Sequence, residues 1–324
     1  MPTDVLPYSF ALAEYDKDES LDIPWEDLWH VYVFANDKGG SGKTSVTANF
    51  ALMLMRYLKK MGQDPRILAL DINGQGNLAI HEFGIDKKYL DEGEALVEAL
   101  RKGTPLKPVP VRPGLDLIVG GPKIEEFVTD VYPRLRSKFT KNADLRLLQC
   151  LLPIAGDYDF ILIDLPPENP VMQRQGLACG RWVVMSTKTD RGSLDGTKTI
   201  KKHFDEARRV NPLLTMLGVI LFATGRNSTQ IHKKASDYLR EILKAGYHRF
   251  ERVIGHSELV ASLSRDDEHP LVELFDQYTG GAKLPDTIQS VYDDYETLCR
   301  QILQRTQEVR EIMERPIEEE ADAR

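Results

Sequence analysis

The eight residues Lys38-Gly39-Gly40-Ser41-Gly42-Lys43-Thr44-Ser45 constrain this chain more than any other stretch. They follow the apolar run Val31-Tyr32-Val33-Phe34-Ala35 and open onto a helical pattern from Val46 to Met61. A strand, a glycine-rich turn and then a helix form the setting in which such a string cradles phosphates. Backbone N–H groups converge in the turn, and the helix N-terminus adds partial positive charge. Gly39, Gly40 and Gly42 let the backbone approach an anion with no Cβ in between. In this reading Ser41 and Ser45 belong to the cradle, Lys43 sits on the β- and γ-phosphates of a nucleotide, and the Thr44 hydroxyl ligates Mg2+. An ordinary glycine-rich turn is the bland alternative, and the flanking strand and helix argue against it.

Two further apolar runs end in acids. Ile67-Leu68-Ala69-Leu70-Asp71 reads as a buried strand and continues into Ile72-Asn73-Gly74-Gln75-Gly76-Asn77. Phe160-Ile161-Leu162-Ile163-Asp164 is the other, followed by Leu165-Pro166-Pro167. An acid closing a buried strand, paired with a phosphate loop, is suited to holding the metal of a nucleotide, and Asp164 takes that role through water. Counting apolar runs gives about seven strands, at 31–35, 66–72, 115–119, 159–164, 181–186, 217–222 and 252–254. Helical segments alternate with them, so the expected fold is α/β: a mainly parallel sheet with helices on both faces. Pro105, Pro108, Pro110 and Pro113 make 103–114 read as irregular. The leucines before Pro153 suggest a helix closed at that proline. The loop, Asp71 and Asp164 all fall at C-terminal strand ends, where ligands bind in such sheets.

Lys38-Gly-Gly-Ser-Gly-Lys-Thr resembles the deviant Walker A motif of the ParA/MinD ATPases, in which an extra lysine precedes the glycine pair. The position of the usual first P-loop glycine is Asp37 here. Tyr158-Asp159 through Pro167 is similar to that family's Walker B strand, and the segment after Asp71 to its Asp-x-Asp-Pro-Gln-Gly-Asn stretch. The resemblance covers roughly residues 31–304. It implies a ParA-type partition ATPase that takes ATP and Mg2+ and dimerises on ATP, with Lys38 reaching the partner's nucleotide. It also implies non-specific binding to duplex DNA, hydrolysis stimulated by a ParB-like centromere-binding protein, and a cytoplasmic, nucleoid-associated location. Lys38, Lys43, Asp71 and Asp164 are then the catalytic set. One departure matters. The family's second acid, which places and activates the attacking water, is Asn73 here. An amide orients water but is a very poor base, so slow turnover is expected, with Asp71 and Asp164 left to position water and metal. Two alternatives follow: a positioning ATPase for a protein cargo, or a slowly hydrolysing, nucleotide-locked scaffold.

Charge is unevenly spread. The 324-residue chain has a formal net charge of −8, yet residues 181–252 hold fifteen Lys/Arg against seven Asp/Glu. A basic segment in an acidic protein is a candidate electrostatic footprint for DNA. Arg226, Lys233, Lys234, Arg249 and Arg252 are the candidate contacts, and an ordinary solvated charge is the alternative for each. Residues 1–30 read as an acidic N-terminal arm, 31–304 as the ATPase domain, and 305–324 as a helix end with an acidic tail. That tail carries seven acids against four arginines, which anionic lipid repels, so no membrane role is expected. Cys150, Cys179 and Cys299 lack paired spacing and read as reduced, buried thiols rather than cluster ligands.

Overall fold

The computed structural model describes residues 23–138, 142–279 and 284–314. The acidic stretch 1–22 and the tail 315–324 lie outside the described residues. The strands are β1 (Val31–Ala35), β2 (Ile67–Asp71), β3 (Val109–Arg112), β4 (Leu115–Ile118), β5 (Phe160–Asp164), β6 (Trp182–Thr187) and β7 (Thr215–Leu221). The helices are α1 (Lys43–Lys60), α2 (Glu94–Lys102), α3 (Ile124–Glu126), α4 (Tyr132–Lys138), α5 (Arg146–Ala155) and α6 (Pro170–Cys179). They continue as α7 (Arg191–Ala207), α8 (Thr229–Leu243), α9 (Glu258–Asp266), α10 (Leu271–Thr279) and α11 (Asp286–Glu314).

The seven strands form one sheet in the order β3-β4-β2-β5-β1-β6-β7. All neighbours are parallel except β3, which runs antiparallel to β4. A parallel sheet is covered on both faces, so its strands are apolar throughout. Every residue of β1, β2, β6 and β7 is buried. Alternation divides β1: Val31, Val33 and Ala35 join the core under α5, α6 and α7, whereas Tyr32 and Phe34 join the core under α1 and α11. Cys150 and Cys179 lie in the first core and Cys299 in the second. Ile23 and Trp25 pack on the first core from the short helical turn that precedes β1.

The strand count is seven as expected, but one strand is a different one. Residues 252–254 are not a strand; among the described residues they make isolated backbone bonds, such as Ile254 N–H to Leu221 O at 3.0 Å. The seventh strand is β3, within the proline-rich stretch read as irregular. Pro110 is tolerated there because β3 is an edge strand, where a missing N–H costs no ladder bond. The helix expected to close at Pro153 continues to Ala155. α11 runs unbroken across residue 304, with Thr306 and Val309 buried.

Candidate functional site

β1 delivers the chain to the cradle, and buried side chains fix how it leaves. Asn36 is fully buried and donates to the Ser186 carbonyl at 2.8 Å, tying the loop to the end of β6. Its Oδ1 accepts from the Lys38 N–H at 2.9 Å. Asp37 accepts from the Gln173 amide at 2.9 Å and from the Glu168 N–H at 3.2 Å. A carboxylate in place of the usual glycine thus straps the loop to the turn after β5. Gly42 has φ +88°, and a Cβ there would run into the Phe222 ring. It is the one loop position where both backbone conformation and space demand glycine. The chain then enters α1, with Val46 N–H bonded to Gly42 O at 2.8 Å.

The expected phosphate-binding residues come together. Gly39 through Ser45 line one wall of a cavity of about 540 Å³, a size that suits a nucleotide-sized ligand. Asn73, Asn77, His81 and Glu82 line another wall, and Lys188, Phe222, Ala223 and His256 contribute to the rest. Lys43 is buried, its Nζ donating to the Lys38 carbonyl at 2.9 Å. Burial draws its ammonium below the ordinary lysine range, opposed by the charges of Asp164 and Asp37. Lys38 points the other way, to Glu168 at 3.0 Å, and is about half exposed. The two lysines of the motif therefore face different environments: one the cradle, the other the surface.

Thr44 and Asp164 meet: the threonine hydroxyl donates to Asp164 Oδ2 at 2.7 Å. Asp164 Oδ1 is buried with no hydrogen-bond partner. A buried charged oxygen with nothing bound to it is costly, and a hard cation held by oxygen ligands is the group that satisfies it. The residues present therefore fit Mg2+, with Thr44 and Asp164 as the holders. Burial raises the Asp164 carboxyl above its ordinary range, against the Thr44 hydroxyl and Lys43, which lower it.

Asp71 is the other strand-end acid. It stands beside Asp164 in register at the end of β2, but its oxygens are turned to backbone. Oδ1 accepts from Asn73 N–H at 3.1 Å, and Oδ2 from Leu78 and Ala79 N–H at 2.9 and 3.3 Å. It anchors the 73–79 loop. Burial first, then Asp164, raises its carboxyl. Asn73 keeps its place on the cavity wall, its Oδ1 accepting from the Gln75 N–H at 3.1 Å.

Sequence reasoning missed Glu82. It sits on the π-helical turn Leu78–Glu82, is buried, and accepts the Ser45 hydroxyl at 2.6 Å. Nothing local in the sequence marks it, because its meaning comes from the loop that Asp71 folds back toward α1. Lys188 was also missed. Its Nζ lies 3.8 Å from where a Gly40 Cβ would be, in the loop after β6.

The basic candidates do not form one patch. Arg226 and Arg252 converge on Asp294 of α11, with Arg226 Nη2 at 2.5 Å and Arg252 Nη1 at 3.5 Å. Asp294 is fully buried and also accepts the Gly255 N–H at 2.9 Å. A buried carboxylate needs such partners, so these two arginines also serve the fold, with side chains that remain 34% and 41% exposed. Lys233 on α8 and Arg249 line an open groove with Arg240 and His248, and Lys234 is exposed beside them. Among the described residues no helix is long and apolar enough to cross a membrane.

The AAA domain family model matches residues 29–216. The chromosome partitioning protein ParA of Myxococcus xanthus is 27% identical over 210 residues, which is 61% of this chain and 66% of that protein. The chain thus spans just under two thirds of that relative's length. Two solved structures share the fold. Apo McdA of Cyanthece has a TM-score of 0.64 at 18% identity, covering 84% of this chain and 98% of that one. The pNOB8 ParA bound to nonspecific DNA has a TM-score of 0.61 at 20% identity, covering 86% and 98%.

Proposed function

The chain belongs to the AAA domain family, among its ParA-type partition ATPases, and from that premise we propose that it is an ATP-driven DNA-partition switch. The observation that carries the reading is the buried, unpartnered Asp164 Oδ1 beside the Thr44 hydroxyl, at the mouth of a glycine cradle. Mg2+, when bound, neutralises charge on the β- and γ-phosphates. The protein's part is positioning. Cradle N–H groups and Lys43 hold the phosphates, Thr44 and Asp164 hold the metal, and the Asn73 amide orients water without taking its proton. Turnover is therefore slow until a ParB-like partner stimulates it.

Lys38 carries the switch. It is surface-facing and tied by one exposed ion pair, a contact worth little in water. It is free to leave Glu168 for a nucleotide held by a second copy. ATP then favours the dimer, and the dimer presents two sets of Lys233, Lys234 and Arg249 to duplex DNA. The site of action is cytoplasmic and nucleoid-associated. Asn73 also favours a second reading, a nucleotide-locked dimeric scaffold whose output is protein binding.

Sedimentation of the wild type and Lys38→Ala, each with Mg-ATP, Mg-ADP and no nucleotide, tests the switch. A dimer only for the wild type with Mg-ATP is expected. An oligomeric state that ignores nucleotide, or a Lys38→Ala protein that dimerises normally, contradicts it. Measurable ATP turnover separates the partition switch from the locked scaffold.

A further inference from the structure

Ser45 Oγ has one proton and two possible claimants. It belongs to the cradle wall, and it already donates to Glu82 Oε1 at 2.6 Å. Glu82 is 8% exposed and lines the same cavity, and its other oxygen, Oε2, is buried with no hydrogen-bond partner. An ionised carboxylate accepts only; a protonated one also donates. With Glu82 ionised, the Ser45 proton is taken and its lone pairs are left toward an incoming phosphate, beside a second negative charge. With Glu82 protonated, the acid can donate to Ser45 Oγ and free the hydroxyl to donate to the phosphate. We propose that Glu82 is a positioning residue for the nucleotide, acting through Ser45, and that binding of the nucleotide phosphates takes up one proton at Glu82. This inference rests on the nucleotide-site reading above and adds a linkage to it.

The surroundings make Glu82 easy to protonate. Its carboxyl is raised to about 7, chiefly by burial and further by the charge of Asp164 on β5; the Ser45 hydroxyl opposes the rise. α11 contributes Tyr295, whose phenol is itself raised by burial and by Glu82. α9 turns the neutral Ala261 and Ser264 to the cavity, and the neighbouring side chain on the same turn is His81. No cation of these elements pairs with Glu82 among the described residues, so a phosphate arriving at Ser45 tips an already poised group.

The test is the affinity of the full chain for Mg-ADP from pH 6 to 9, with calorimetry at pH 8 in two buffers of different ionisation enthalpy. One proton taken up makes the apparent Kd rise about tenfold per pH unit above 7. The buffers should then report close to one proton absorbed per nucleotide. Glu82→Gln supplies a neutral donor to Ser45 at every pH. Its Kd should stay near the wild type's low-pH value, with no proton uptake. A merely structural Glu82 predicts a variant weakened equally at all pH values. Wild-type binding with no proton uptake, or a Glu82→Gln protein that keeps the wild-type slope, overturns the inference alone. No Mg-ADP binding at any pH overturns both it and the nucleotide-site reading.

Discussion

Asp71, Asp164 and Glu82 lie near the cradle, and their different partners assign them different work. Asp71 has three backbone N–H donors and holds a loop. Asp164 has one hydroxyl and one unsatisfied oxygen, the requirement of a metal holder. Glu82 accepts the Ser45 hydroxyl and has one unpartnered oxygen. The first two acids were legible because each ends an apolar run. Glu82 was not, since nothing within its own turn shows what it will face. Asn73 makes the sharpest residue-scale prediction. Asn73→Asp restores a carboxylate on the cavity wall, and single-turnover assays should show faster hydrolysis, toward the low end of the about 100–10,000-fold that general-base catalysis supplies; unchanged turnover with intact binding removes the idea that the amide limits the rate. Glu82 also makes a stability prediction. Its folded value is raised from 4.5 to about 7, so the folded state holds the proton more tightly than the unfolded one. Its contribution is best below the unfolded value and is lost as pH rises through about 7. Glu82→Gln should therefore gain up to about 3 kcal/mol on the wild type between pH 5 and pH 8 in urea melts. An equal difference at both pH values contradicts this. Gly42→Ala meets both a strained φ and the Phe222 ring, and should abolish Mg-ADP binding in the same calorimeter; wild-type affinity would show that the ring can move aside.

At the scale of elements, the sheet was readable because buried parallel strands are apolar on both faces, which leaves runs such as Ile161-Leu162-Ile163. The misread elements have physical reasons. β3 is short, half-buried and carries Pro110, so no periodic signal separates it from a loop. Residues 252–254 are apolar enough to resemble a strand, yet they serve to bring Arg252 and Gly255 to Asp294. That contact had no sequence signature either, because Asp294 lies on the polar-looking stretch of an amphipathic helix. It pins α11 to the loops that carry Ala223 and His256 into the cavity. Asp294→Ala removes two arginine ion pairs and a backbone acceptor at once. The arginines remain within reach of water, so a loss of about 3 kcal/mol is expected, at the low end for a broken buried pair. Chemical denaturation measures it, and a change under about 0.5 kcal/mol would mean that the loops are held by other interactions.

On the scale of the whole molecule, net charge misleads and its distribution informs. An acidic chain keeps a groove on α8 and the 247–251 segment where Lys233, Arg240 and Arg249 stand with Asp237 and Glu251. Lys233, Lys234 and Arg249 are candidate phosphate-binding residues that do not also pair with Asp294, as Arg226 and Arg252 do. Replacing Lys233 and Lys234 by Glu should weaken duplex binding about equally for all sequences and lower the salt slope by about one for each DNA phosphate no longer neutralised. A sequence-selective weakening would argue for base reading instead. The measurement that tests the central claim most directly is binding to a random-sequence duplex with Mg-ATP, with Mg-ADP and with no nucleotide, at two salt concentrations. Binding that requires ATP and falls steeply with salt is expected. Binding that is absent in every state, or equal in all three, contradicts an ATP-driven DNA switch and leaves the cradle to serve a protein cargo.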